Sequence, residues 1–400
     1  MTMRRPWIVI LSAALIVTLA MGVRQSFGLF MPQMSMALDI GRETFGLAVA
    51  IQNLLFGLTQ PFVGAIADRH GAGRVVFWGA LVYVSGLALA AWTGSALGLH
   101  LSFGLLIGLA MAATTFVVVL GAVGRVVAPE RRTLAFGIVT AGGSLGQFLV
   151  VPGAQMLIGE LGYRIALIVL AGVVALIALL ALGVAGRPEG GPDGGPSQSL
   201  GAALREAAGH RGYWLLNAGF FVCGFQLVFI ATHFPAYLTD NGLGLAVGAQ
   251  SLALIGLFNI FGSYIFGLSG DYLRKKYVLS GIYAVRGLVI LLFLALPLTP
   301  ASALVFASVM GFLWLGTVPL TSGLVGQIFG VRYLSTLYGI VFMSHQLGSF
   351  FGAWLGGLIY DRSGSYDAAW AAAIGLGFVA AILHLPISDR PVARLEPTPA

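Results

Sequence analysis

The sequence predicts an all-α membrane protein with 12 transmembrane helices, arranged as two pseudo-symmetric six-helix bundles. Three observations carry this. Hydrophobic residues make up 58% of the 400 residues and charged residues only 9%, against roughly 25% charged in a soluble domain, so polar surface is too scarce to face water. The apolar residues fall into twelve continuous runs, each near the length of about 20 residues that crosses a bilayer as a helix. The second six runs repeat landmarks of the first six in the same order at a nearly constant spacing.

In chain order the runs cover 7–30, 44–66, 75–92, 97–122, 134–157, 165–182, 213–238, 250–268, 277–296, 301–325, 334–360 and 368–385; they are called spans one to twelve below. They are continuously apolar rather than alternating, which excludes a transmembrane β-barrel. Span one does not read as a cleaved signal peptide, because Arg24 stands where a small-residue cleavage site would fall. Cations set the orientation. With the amino terminus in the cytoplasm, 16 of the 21 Lys and Arg fall inside, Arg42, Arg164 and Arg362 fall outside, and Arg24 and Arg286 lie within spans. The expectation is a multi-pass protein of the plasma membrane, a bacterial inner membrane given the compact loops, with both termini cytoplasmic. Residues 1–185 form the first bundle and 213–400 the second. Between them, 186–212 is a Gly-, Pro- and Ser-rich cytoplasmic linker that ends in a short helical piece over 200–210.

Composition also limits function. The pI near 9.8 arises from short cationic clusters between apolar runs, a topology signal rather than a basic groove, so nucleic acid is not the expected partner. A single cysteine, Cys223, excludes a disulfide framework and a cysteine-based metal cluster. There is no Walker sequence for ATP-driven pumping. No metal-ligating cluster lies at membrane depth, nor any serine with a base beside it, which argues against an enzyme. No cofactor is expected. A membrane sensor would need a soluble output domain, and neither the linker nor the termini offer one.

The repeat is concrete. Gly64-Ala-Ile-Ala-Asp68-Arg69-His-Gly71-Ala-Gly73-Arg74 follows span two, and Gly267-Leu-Ser-Gly-Asp271-Tyr-Leu-Arg274-Lys275-Lys276 follows span eight. Asp68 and Asp271 are 203 apart, as are Pro32 and Pro235; Gly137 and Gly339 are 202 apart, as are Leu145 and Leu347. The Gly-x-x-x-Asp-Arg-x-Gly-x-x-Arg signature and its weaker second copy resemble the major facilitator superfamily over essentially the whole chain. That resemblance implies two six-helix bundles around a cavity that opens alternately to either side. It also implies that one chain holds a complete translocation unit, a functional monomer. Gly64, Asp68, Arg69, Gly71, Arg74, Asp271 and Arg274 are then gate residues, whose charges latch the halves on the cytoplasmic face. Glycines at small-x-x-x-small spacing on spans five and eleven (Gly142, Gly146; Gly348, Gly352, Gly356) permit close helix approach, and the resemblance assigns them to the rocking surface. Phe258-Asn259-Ile-Phe-Gly262, followed by Gly267-Leu-Ser269-Gly-Asp271, looks like the monocarboxylate and oxalate/formate-type branch. Where that branch commonly carries an arginine on span eight, this chain has Ser263.

The charges left at membrane depth point to the substrate. No Asp or Glu falls within a span, so Arg24 and Arg286 have no intramembrane acid to neutralise them. A central arginine costs at least about 2.5–3.5 kcal/mol to insert and is usually functional. A guanidinium keeps its charge and grips a carboxylate through two parallel hydrogen bonds. Arg24, on a cavity-lining helix of the family, and Arg286, on span nine, are therefore candidate substrate ligands, with backbone capping or packing as the plainer role for each. Gln226 on span seven, 202 from Arg24, and Trp314 on span ten are further cavity candidates. His345 on span eleven is the candidate for a coupled proton, histidine being the residue type that can exchange one near neutral pH, with a neutral histidine bonded to a neighbouring helix as the plainer role. Asn53 and Asn259 read as helix joiners, and Pro319 should bend span ten. The expected function is a secondary transporter of a small organic anion, a monocarboxylate, by alternating access with a proton as candidate co-substrate. The alternative is export of a neutral or lipophilic compound by proton antiport; its Gly-Pro-x-x-Gly-Gly signature is not intact on span five, where 142–153 holds proline only at Pro152.

Overall fold

The computed structural model describes residues 6–40, 42–186 and 198–395, apart from the side chains of residues 42, 43, 245 and 361. The Gly-Pro-Ser part of the expected linker, 187–197, lies outside the described residues, as do the inside cations Arg4, Arg5 and Arg187. The described residues are helical without strands. Among the described residues, ten segments are long and apolar enough to cross a membrane. One of them, Pro129–Leu180, is 52 residues long and holds spans five and six, joined at Gly162, whose φ of 76° interrupts the helix. Span eleven forms the 30-residue helix Leu334–Ser363. Twelve helical passages result.

Spans two, three, seven, eight, nine and twelve are the helices Arg42–His70, Ala72–Trp92, Arg211–Asp240, Leu245–Tyr272, Lys275–Ala295 and Asp367–His384. Three passages are broken. Span one runs as Pro6–Gln25, turns through Phe27–Phe30 and resumes as Met31–Leu38, where Asp39 ends it in the left-handed conformation. Span four breaks at Thr115, which is extended between Ile107–Thr114 and Phe116–Val126. Span ten breaks between Pro300–Leu313 and Thr317–Phe329. Pro319 therefore sits in the first turn of the second piece, where a missing N–H costs little, and the break precedes it rather than forming a bend around it. The helical end of the linker is Leu200–Gly209, capped by the Ser199 hydroxyl, which accepts from Ala202 N–H.

Packing groups the described residues into two units, with short exchanges relative to chain order. The first holds those of 1–127, 142–194 and 331–339; the second holds those of 128–141, 195–330 and 340–400. The second unit has an aromatic core in which Phe229, Phe234, Phe293 and Phe306 surround the fully buried Trp370, with Phe229 edge-on to it at 4.8 Å between centroids. Glycines bring helices together inside each unit. A Cβ on Gly146 would strike the Thr18 carbonyl of span one, and one on Gly348 or Gly352 the Phe221 or Phe225 carbonyl of span seven. The small-residue spacing on spans five and eleven thus serves packing within each unit.

Candidate functional site

In the first unit, Arg24 closes the last turn of Pro6–Gln25, just before the chain tightens through Phe27. Its Nη2 donates to Asn53 Oδ1 on span two, and its guanidinium carbon lies 5.9 Å from the Phe56 ring centroid. Its Nε is buried without a partner. The side chain borders a cavity of about 310 Å³ lined by Gln25, Phe27, Met31, Phe45, Val49 and Gln52. No carboxylate pairs with Arg24 among the described residues. A guanidinium carries five donors in a fixed fork, and one neutral amide leaves most of them for an anion. Asn53 joins helices as expected, yet it also aims the arginine.

In the second unit, Arg286, Trp314, Cys223 and His345 come together, and Gln226 lies elsewhere on span seven. Arg286 is fully buried. Its Nη2 donates to the carbonyls of Leu313 and Trp314, both at 2.5 Å, and its Nη1 to Cys223 Sγ at 3.4 Å. The break in span ten frees backbone groups that cannot be left bare at membrane depth. Arg286 satisfies the carbonyls, and Asn259 Oδ1 accepts from Leu315 N–H at 2.9 Å. Arg286 also lies 5.5 Å from the Tyr283 ring centroid. Cys223 contacts Thr317 Oγ1 at 3.2 Å and faces His345. The His345 ring packs on Phe220 and Phe342, its Nδ1 lies 3.1 Å from Gln346 Oε1, and its Nε2 is buried without a partner. Gln226 donates to Ala373 O of span twelve at 2.8 Å, and its Oε1 has no partner. Ser263 donates to Asn259 Oδ1 at 3.2 Å.

The signature residues divide into separate tasks. Asp68 accepts from Ser335 N–H (3.3 Å), from Thr336 N–H (2.7 Å) and from Thr336 Oγ1 (2.8 Å), so its charge caps the amino end of span eleven. Arg125, at the end of span four, pairs with it at 3.0 Å. Asp271 caps the amino end of span five in the same way, accepting from Thr133 and Leu134 N–H at 2.8 and 2.9 Å. A Cβ on Gly64 would strike the Ser335 carbonyl, which is why the signature needs glycine there. Gly71 needs it for a φ of +93°. Arg69 and Arg74 are exposed and do not join the Asp68 cluster. Arg274 pairs bidentately with Asp389 of the carboxyl-terminal segment, at 2.9 and 2.6 Å.

The sequence reading placed Arg125 only among the inside cations and assigned nothing to Thr133, Thr336 or Cys223. A signal for two of these was present: Thr133 and Thr336 are 203 apart, the offset of the two aspartates that cap them. Cys223 carried no such signal, because its neighbours arrive from three other spans.

Comparison with known proteins bears on the whole chain. Residues 13–330 match the family model described as Major Facilitator Superfamily. Among curated proteins, the chain is 28% identical to monocarboxylate transporter 13 of Rattus norvegicus, over 92% of this chain and 85% of that protein. It is 26% identical to monocarboxylate transporter 11 of Homo sapiens, over 91% and 79%, and 24% identical to the uncharacterized MFS-type transporter YcxA of Bacillus subtilis, over 98% and 97%. Among solved structures, the E. coli fucose:proton symporter FucP superposes with a TM-score of 0.76 at 15% identity, covering 96% of this chain and all of that one. The human organic anion transporter MFSD10 superposes at 0.69 and 15%, covering 95% and 98%. At such identities these structures speak to the fold alone. The twelve helical passages, the doubled signature and the family match agree: the chain belongs to the major facilitator superfamily of membrane transporters.

Proposed function

We propose that the chain is a secondary transporter of a small organic anion, a monocarboxylate, working by alternating access. One observation carries this: Arg24 borders a cavity with only a neutral amide as its partner and a buried Nε left over. A carboxylate entering there supplies the missing counter-charge through two parallel hydrogen bonds. The names of the curated relatives, monocarboxylate transporters at 26–28% identity, support the same substrate class. Arg286 holds the broken span ten in shape and acts on substrate only through Trp314. Asp68 and Asp271 act as latches: each releases the helix end it caps when the transporter changes the side to which it opens. Both termini lie in the cytoplasm of a plasma membrane on this reading. His345, beside Cys223, is the group that takes up a coupled proton.

The test is binding. Purified protein screened by thermal shift against lactate, pyruvate, formate and oxalate should gain stability with at least one, since a ligand of the native state raises its apparent stability. The gain should vanish in Arg24→Ala and persist in part in Arg24→Lys, which keeps the charge and loses the fork. Stabilisation by neutral lipophilic compounds and by no carboxylate would favour the alternative, export by proton antiport.

A further inference from the structure

Spans two, three and four leave a second cavity in the first unit, larger than that at Arg24: a groove of about 420 Å³. Its walls are apolar and face outward. Ile66 is 51% exposed and Trp78 65%, with Val63, Val75 and Leu109 beside them. Its floor is made of small residues, where a Cβ on Gly79 would come within 2.5 Å of Ala113 Cβ. At one end the lining changes to His70 and Arg74. Both are exposed. Arg74 has no hydrogen-bond or ion-pair partner among the described residues, and His70 makes one ring contact, Nδ1 to Ile66 O at 3.3 Å. The nearest signature carboxylate, Asp68, is already engaged by Arg125, Ser335 and Thr336. The charged end therefore carries positive charge that no described residue answers.

We propose that this groove binds an anionic phospholipid, with the phosphate at Arg74 and His70 and an acyl chain laid along Ile66, Trp78 and Leu109. The shape fits a lipid rather than a soluble anion, because the charged end is continuous with an apolar trough. The charge selects the lipid: an anionic headgroup neutralises Arg74, whereas a zwitterionic one brings its own cation. Basic pockets between spans near the cytoplasmic leaflet are where such headgroups bind, and the cation distribution assigns this end to the cytoplasm. Trp78 has the interfacial exposure of a belt aromatic. Arg74, read from its sequence as a gate residue, is then the headgroup ligand that ties the signature loop to the bilayer.

The experiment uses the full chain reconstituted in phosphatidylcholine vesicles with a minor fraction of phosphatidylglycerol, brominated acyl chains being placed on one lipid or the other. The fluorescence difference between the native chain and Trp78→Phe isolates the groove tryptophan. Brominated phosphatidylglycerol should quench it beyond its share of the bilayer, with a preference over phosphatidylcholine of about fivefold for one cation at the surface. Arg74→Ala combined with His70→Ala should bring the preference to about one, and Arg74→Lys should restore most of it. Equal quenching by the two lipids in the native chain would overturn the proposal. So would a preference that survives loss of both side chains, or one that Arg74→Lys fails to restore. Quenching by neither lipid, with emission that depends on protein density in the vesicle, would place a second copy of the chain in the groove and overturn it as well.

Discussion

Arg24 was legible from its letter and its place alone: a permanent cation in a run without acids. Arg286 was equally legible as a letter but not as a role, because the carbonyls it holds are released by a break in span ten that the sequence marked only indirectly, through Pro319. Replacing Arg286 by Ala should leave those carbonyls with no charged donor at membrane depth. An expected loss of about 3 kcal/mol or more would appear as a lowered thermal midpoint in detergent, and Arg286→Lys should recover part of it. A second residue-scale prediction concerns acid. The two hydrogen bonds from Arg274 hold the Asp389 carboxyl below the usual carboxylate range. A lowered carboxylate value means that the pair's contribution is complete above about pH 5 and fades as acid titrates through and below the ordinary value of about 3.9. Asp389→Asn should therefore lower the thermal midpoint at neutral pH, and the two proteins should converge in acid. A constant offset across that range would contradict the pairing.

At the scale of elements, most boundaries could be read from apolar runs, and the breaks could not. Thr115 interrupts its helix without any turn-forming residue beside it, and the break at 314–316 is marked only by Gly316 and Pro319 in a run that holds other glycines. What stabilises the break in span ten is tertiary, side chains from two other spans. The two capping aspartates are different, since the 203-residue offset pairs Asp68 with Thr336 and Asp271 with Thr133 once the exchange is known. They are not equal in energy. Asp68 also neutralises Arg125, both side chains being almost wholly buried, whereas Asp271 mainly accepts two backbone N–H groups. Asp68→Asn should cost about 3–5 kcal/mol, the loss expected when a buried pair is broken; Asp271→Asn should cost about 1–3 kcal/mol, as for hydrogen bonds to a charged group. Thermal unfolding of the two variants checks the order. Helix glycines allow a similar comparison. Gly348→Ala drives a methyl into the Phe221 carbonyl and should cost about 1–3 kcal/mol, whereas Gly375→Ala meets nothing within 4 Å and should gain about 0.5–1 kcal/mol from helix entropy.

For the whole molecule, the fold class followed from composition, span count and repeat, because a bilayer admits few architectures and a doubled motif selects among them. The site was only half legible. The first unit's cation could be found from one residue, but the second unit's cluster of Cys223, Thr317, His345 and Arg286 exists only after four spans have packed. On the proposed reading, substrate choice and coupling rest on those clusters. If His345 carries the proton, His345→Ala should keep exchange of anion across the vesicle while losing the response of net uptake to an imposed pH gradient; an unaltered response would assign the proton elsewhere. The most direct measurement is uptake of radiolabelled lactate, pyruvate and oxalate into proteoliposomes containing the native chain or Arg24→Ala. The account predicts saturable uptake of at least one of these anions by the native chain, reduced at least about 100-fold in the variant, in keeping with loss of a bidentate charged contact of some 3 kcal/mol. Uptake of the anion at an undiminished rate by Arg24→Ala would contradict it.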